Sequence, residues 1–499
     1  MRLISAVVGA AAILAHAGVA CSENSALRPD QAEFRALYEE LVETNTTLSA
    51  GSCTEAAAKM GARLQAAGFA DADLTYFADA AHPREGGLVA VLQGTDPRAK
   101  PILLIAHLDV VEARREDWTR DPFTLVEEGG FFYARGAFDD KAQAAIWTDS
   151  FIRIKRGDDR PQRTLKLALT CGEESVQAFN GVEWLVKNRP ELIAAEFALN
   201  EGGAGRLSAD GRRESLVIQV GEKATQNYRI EATHPGGHSS RPVADNAIYE
   251  LAAALEKIRD YRFPVQLNDT TRSFLAAYAK QTPGAKGDAI ARLLANPNDA
   301  EADLIASADP DLNRLLRTTC VATLIEGGHA SNALPQRAGA NLNCRILPGE
   351  TLEGTAEALI AAIADPKIRL TMVPPIRPLA VPAPLDPRIL GPAQELADRY
   401  FPGMTVQPIM QAGYTDAVWL GTANIPVYGV PGLFLEPDGN GIHGLNERVR
   451  VSMLYEARDY LYDLLRAYAA GRTDSFSPAT RSTATSVDKR GLPAAERGR

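Results

Sequence analysis

Residues 102–111 read ILLIAHLDVV, a short apolar run closed by His107 and Asp109. A run this short and this rich in branched residues fits a strand buried on both faces, as in a parallel sheet covered by helices. Strand side chains alternate, so His107 and Asp109 point the same way at the strand's end. One use of that spacing is a metal-ligating imidazole whose second ring nitrogen is held by a carboxylate. A satisfied histidine at a strand end would look the same, and the stretch alone does not choose.

Working outward, GLVAVLQG (87–94), RTLKLALTCGEES (163–175) and EFALNEGG (196–203) also read as apolar strands. Helical spacing runs through 25–47, 54–69, 140–157 and 181–194. Strands alternating with helices predict an α/β domain with a mainly parallel central sheet flanked by helices. The pattern changes near residue 218. NYRIEATH (227–234) alternates as a half-exposed antiparallel strand does, and 246–261 is an amphipathic helix. Residues 264–316 are mostly helical, and strand-like runs surround Cys320 and Cys344 before a helix over 351–365. This predicts a smaller α+β domain, 218–375, inserted as a lid or dimerisation module into a catalytic domain made of 28–217 and 376–470. Proline-rich sequence at 374–393 marks the return. The tail 471–499 lacks apolar periodicity and reads as disordered.

The chain has 499 residues, more than one ordinary domain. Its 45% hydrophobic content can fill sizeable cores, and a formal charge of -10 argues against nucleic acid as the main partner. Residues 1–20 combine one arginine, an apolar stretch and small residues at Ala15, Ala17 and Ala20, which reads as a secretory signal peptide. Export, to the periplasm of a bacterium, is the expectation. Cys21 directly after the small residues is a candidate for a lipid anchor, although Gly18 suits that signal poorly. An exported chain can hold disulfides. If the strands around Cys320 and Cys344 form a hairpin turning near Asn332, those thiols would face each other; two free buried cysteines are the alternative.

Residues of metal-ligand type collect at the strand ends: His107, then Glu173 and Glu174, then Glu201. Ligands of open α/β sheets bind beyond the carboxyl ends of the strands, so these would converge there. Asp139 and Asp140 in ARGAFDDKA and His443 in GIHGLNERV lie in loops that could join them. Each piece alone has a plain explanation: paired acids in a solvated turn, or Asp139-Asp140 as a helix cap. Together they suit amide hydrolysis, which needs a nucleophilic water at neutral pH; metal coordination lowers water's pKa to about 7. Imidazole and carboxylate ligands favour Zn²⁺, with Co²⁺ or Mn²⁺ also fitting.

The motifs HLDVV, RGAFDDK, GEES, NEGG, HPGGHSSRP and GIHGLNE occur in this order from about residue 30 to 465. In this the chain resembles the co-catalytic dizinc exopeptidases and deacylases, which include acetylornithine deacetylase, succinyl-diaminopimelate desuccinylase, aminoacylase-1, glutamate carboxypeptidase and carboxypeptidase S. The resemblance implies two Zn²⁺ per chain, one on His107 and Glu201, the other on Glu174 and His443, with Asp139 bridging. It implies that Asp109 orients His107, that Glu173 is the general base, and that the Asp139-Asp140 peptide is cis. It further implies that His238 stabilises the oxyanion of a neighbouring subunit's site, that Arg345 and Asn332 hold a substrate carboxylate, and that Gly413 contacts substrate through its backbone. The long helical stretch in the insert resembles the carboxypeptidase S and N-acyl-amino-acid hydrolase branch. The implied substrate is a small peptide or N-acyl-amino acid, and the implied assembly a homodimer through the insert. An aminopeptidase or dipeptidase of the same fold, and a non-catalytic exported zinc-binding protein, are the competing readings.

Overall fold

The computed structural model describes residues 27–158, 160–175 and 179–470. The signal peptide, Cys21 and the tail 471–499 lie outside the described residues.

The strand Ile102–His107 is buried at every position, as its unbroken apolar text requires. Fully burying such side chains is worth about 1.5–3 kcal/mol each, so this strand sits near the middle of a sheet. The sheet order is Leu74–Asp79, His82–Leu92, Leu165–Thr170, Ile102–His107, Phe197–Asn200, Val427–Gly429, Arg213–Glu222, Ala204–Leu207 and Phe434–Leu435, with Val406–Gln411 paired beside Arg213–Glu222. The pairings among Leu165–Thr170, Ile102–His107, Phe197–Asn200 and Val427–Gly429 are parallel, and the hairpins at the edge are antiparallel. Helix Lys141–Arg156 is buried along most of its length and packs against the His107 strand. Helices Pro29–Glu43, Cys53–Ala66 and Val451–Ala469 complete the largest core with it.

A second sheet is wholly antiparallel, in the order Thr319–Gly327, Arg337–Ile346, Ala224–Thr233, Ile368–Val373. Helices Ala247–Asp260 and Leu352–Ile363 share its core. The change of sheet falls at Lys223 rather than at 218, because Arg213–Glu222 is a strand of the large sheet. Helices Asp269–Gln281, Ala285–Ala295, Ala300–Ser307 and Pro310–Leu316 bury a small core of their own. The first of them rests against Val406–Gln411, tying the insert to the large sheet.

Cys320 and Cys344 are register partners in that antiparallel pair and are disulfide-bonded, as the hairpin reading anticipated. A second disulfide, Cys53–Cys171, joins the start of a helix to the end of the strand Leu165–Thr170. Sequence spacing held no hint of it, since 118 residues separate the two cysteines.

Arg458, fully buried on helix Val451–Ala469, donates to Asp149 and Asp30, each at 2.7 Å. The Asp149 bond fastens this helix to the one that begins at the Asp139-Asp140 loop, and the Asp30 bond fastens it to helix Pro29–Glu43. Removing one partner of a buried pair strands the other charge. Arg458→Ala is therefore expected to lower unfolding free energy by about 3–5 kcal/mol, measured by urea titration.

Candidate active site

Three neighbouring parallel strands end on one side of the sheet. The register sets His107 opposite Thr170, so the Gly172-Glu173-Glu174 turn begins level with the imidazole. Glu201 follows Asn200, the last residue of the next strand. The loop before helix Lys141–Arg156 brings Asp139, and the loop after Phe434–Leu435 brings His443.

The side chains meet closely. Asp139 Oδ1 lies 3.1 Å from His107 Nε2 and its Oδ2 lies 3.2 Å from His443 Nε2. Glu201 Oε1 is 3.7 Å from the same His107 nitrogen, and Glu174 Oε1 is 2.9 Å from His443 Nε2. Two triads that could hold a metal ion result, His107–Asp139–Glu201 and Asp139–Glu174–His443, each with its potential donor atoms within 4.8 Å of one another. Asp139 belongs to both. Glu173 approaches His107 and Glu174 closely enough to form a third grouping. All of these residues were expected here from the sequence.

The charge balance is what a pair of cations would correct. Burial, then the charge of Glu201, pushes the Glu173 carboxyl well above its ordinary value; burial does the same to Glu201 and raises Glu174. Asp139 is held well below the carboxylate range despite burial, by hydrogen bonds from His107 and His443. Those bonds to Asp139 and Glu174 push His443 up to about 10. Among the described residues no lysine or arginine pairs with these acids. Lys141, the nearest in sequence, sends its ammonium to the Thr44 carbonyl oxygen at 2.7 Å. Clustered carboxylates with neutral-capable imidazoles and no protein cation fit two divalent metal ions of the Zn²⁺, Co²⁺ or Mn²⁺ class.

Several groups hold the loops, and some were invisible in the sequence. Glu447, buried, accepts from the backbone N–H groups of Gly136, Phe138 and Asp139 at 3.1, 2.9 and 3.0 Å, and from Arg135 Nη1 at 2.7 Å. It thereby fixes the segment that ends in the cis Asp139-Asp140 peptide. Asp140 occupies the helix cap position without making a side-chain cap bond, so the capping explanation does not account for the pair. Asp109 acts differently from expectation. His107 Nδ1 is 3.0 Å from the Asp109 backbone oxygen and 3.7 Å from its carboxylate. That carboxylate accepts instead from the N–H groups of Glu173 and Glu174, at 3.4 and 3.0 Å. Asn180 donates to the Gly172 carbonyl at 3.1 Å and to Asp416 at 2.6 Å. Asp416 is buried, faces Glu173, and is pushed up to about 6 chiefly by burial. Gly172 has φ +94°, and a Cβ there would overlap the Phe179 carbonyl.

The expected substrate contacts fall into two places. Arg345, on the insert, donates to Thr225 Oγ1 at 2.8 Å and to the Ala412 carbonyl at 3.3 Å, beside the exposed Gly413. It has no carboxylate partner among the described residues. His238 and Asn332 lie together elsewhere on the insert: Ser239 N–H donates to the Asn332 carbonyl at 3.1 Å, and His238 pairs with Ala333 across a short ribbon. Among the described residues His238 makes no hydrogen bond to the metal-ligand cluster of its own chain.

Comparison with known proteins bears on the chain as a whole. The profile of "Peptidase family M20/M25/M40" matches residues 103–467. The human N-fatty-acyl-amino acid synthase/hydrolase PM20D1 is 28% identical over 386 residues, 75% of each chain. Aminoacylase-1A of Rattus norvegicus is 27% identical over 397 residues, 77% of this chain and 84% of that one. The M20 metallo-carboxypeptidase Sso-CP2 of Sulfolobus solfataricus superposes with a TM-score of 0.66 at 19% identity, covering 89% of this chain and all of the other.

Because His443 holds a proton up to about pH 10 in the metal-free protein, a cation must displace it. Loading should release protons, and apparent metal affinity should climb from neutral pH to about 10. Calorimetric titration in buffers of different ionisation enthalpy measures both; a pH-independent affinity would contradict this assignment.

Proposed function

We propose that this chain, which belongs to peptidase family M20/M25/M40, cleaves an amide bond to release an amino acid with a free α-carboxylate from a small peptide or an N-acyl-amino acid. The observation that carries the reading is Asp139 set between two histidines, each with its own second carboxylate, beside Glu173. Family membership makes the chain a hydrolase of amide bonds. The substrate class is our inference, supported by Arg345, which has no carboxylate partner among the described residues.

In this reading His107 and Glu201 hold one metal ion, Glu174 and His443 the other, and Asp139 both. Zinc is preferred, with Co²⁺ or Mn²⁺ alternatives. When bound, the ions supply Lewis acidity towards the amide carbonyl and a nucleophilic water near neutral pH. Glu173, with its carboxyl raised by burial, takes the water's proton and delivers it to the leaving amine. Asp109 and Asn180 hold the turn that aims Glu173. Arg345 takes the product-side carboxylate through its guanidinium fork, a carboxylate being a stronger acceptor than the Ala412 carbonyl it now meets. Asn332 and the Gly413 backbone would complete that subsite.

His238 is assigned to a second copy's site. The free edge of the insert's sheet supports such pairing: Val321, Leu324 and Ile325 on Thr319–Gly327 are 60%, 70% and 70% exposed. An apolar edge strand of this kind favours burial against another chain. The two disulfides support an oxidising location and hence export. An aminopeptidase or dipeptidase would need an acidic group for the substrate's free ammonium, which Arg345 does not supply. Glu173 standing beside the complete ligand set disfavours a protein that only binds zinc.

Blocked dipeptides with a free carboxylate should be cleaved and their carboxyl-terminal amides should not. Turnover of the amides at equal rate would refute the role of Arg345. Glu173→Gln should retain both metals by elemental analysis while losing kcat by roughly 10²–10⁴-fold, the usual worth of a general base. Mixing Glu173→Gln with His238→Ala chains should restore part of the activity if His238 acts across subunits; no recovery after verified subunit exchange argues against it.

A further inference from the structure

We propose that the Cys53–Cys171 disulfide is the clamp that positions the Glu173-Glu174 turn, so that hydrolysis depends on oxidising conditions. The proposal rests on the reading of Glu173 and Glu174 as base and ligand. Cys171 immediately precedes Gly172, the first residue of that turn. Its bonded partner Cys53 is the first residue of helix Cys53–Ala66, which packs on strand His82–Leu92. That strand in turn pairs with Leu165–Thr170, the strand that leads into the turn. Both ends of the bond are thus rooted in rigid elements, and the turn hangs from one of them.

Among the described residues, the backbone of the turn is otherwise held by Asp109, Asn180 and Gly181. Asp109 accepts from Glu173 N–H at 3.4 Å, a long bond, and from Glu174 N–H at 3.0 Å. Asn180 and Gly181 hold the carbonyls of Gly172 and Cys171 at 3.1 and 2.7 Å. Both cysteines are buried, 1% and 4% exposed, and their sulfurs lie within 4.8 Å of an Asp109 carboxylate oxygen. Cleaving the bond yields two thiols, which must separate to nonbonded contact of roughly 3.5–4 Å. The cavity beside them measures about 20 Å³, room for a single water. Parting thiols therefore push on Gly172 and on the Asp109 carboxylate, the two groups that fix where Glu173 and Glu174 point. Cys320–Cys344 lies in the insert's sheet and has no such lever.

The test uses the full mature chain carrying Cys320→Ala and Cys344→Ala, so that a single disulfide remains among the described residues. A trialkylphosphine reduces it: the S–S bond breaks, two S–H bonds form, and the phosphine takes oxygen from water to become its oxide. Cys53→Ser/Cys171→Ser serves as a parallel arm. The readouts are the visible spectrum of the Co²⁺-loaded protein, chelator competition, kcat and KM on a blocked dipeptide, and near-UV circular dichroism. Reduction should lower kcat by roughly 10- to 100-fold with KM little changed, as a misplacement of about 1 Å would. It should also alter the Co²⁺ spectrum, and reoxidation should reverse both. A reduced, folded protein with unchanged spectrum and kcat overturns the clamp, as does loss of near-UV dichroism in step with activity. If the oxidised protein hydrolyses nothing, the hydrolase reading falls, while the Co²⁺ spectrum still decides the clamp.

Discussion

Asp139, Glu174 and Glu201 crowd around two imidazoles, one buried and one exposed, with Glu173 alongside. Burial penalises each ionised carboxylate, and each one's charge penalises the others. Among the described residues no lysine or arginine relieves this, only the two imidazoles themselves; Lys141 turns away and Arg135 is committed to Glu447. The arrangement is stable as an ionised set only with positive charge at its centre. The rest of the molecule can be understood as the framework that keeps these groups from dispersing. Parallel strands set His107 and the Glu173 turn side by side, Glu447 ties down the Asp139 loop, and Asp109 anchors the turn itself.

The large sheet was legible because its central strands are buried on both faces and therefore mostly apolar. The site followed from it: residues at strand ends share one side of a parallel sheet, so His107, Glu173, Glu174 and Glu201 could be gathered by topology alone. Asp139 and His443 sit in loops, and only the order of motifs placed them. The supporting groups stayed hidden for a different reason. Glu447, Asn180 and Asp416 are single polar residues in loops, and such residues look the same whether they face solvent or close a buried network. Their partners are remote in the chain, as Asp416 is from Asn180. The Cys53–Cys171 bond was unreadable on the same ground. Asp109 was recognised as a partner of His107; what went unread is that its backbone oxygen makes the closer approach while its carboxylate also holds the neighbouring turn. The boundary near 218 came late in the structure because Arg213–Glu222 and Ala224–Thr233 are consecutive strands of different sheets, separated by Lys223 alone.

That short separation matters for how the two units communicate. Lys223 is buried at the crossing, its ammonium bonded to the Arg317 carbonyl and its pKa lowered to about 7 by desolvation. Glu222 before it is pushed up to about 8 by burial and bonds Thr415, next to Asp416. Arg345 reaches from the insert to the Ala412 carbonyl in the same loop. The segment 412–416 is therefore held from both sides, and a ligand bound at Arg345 would act on the neighbours of Glu173 without touching it.

Gly172 carries a cost that falls on the gene rather than on the reaction. With a left-handed backbone and the Phe179 carbonyl where a methyl would go, no other amino acid fits. A missense change at this codon should read as a null allele, although the residue has no side chain with which to meet a substrate. Inheritance would thus guard the emptiest position in the site as strictly as it guards the ligands.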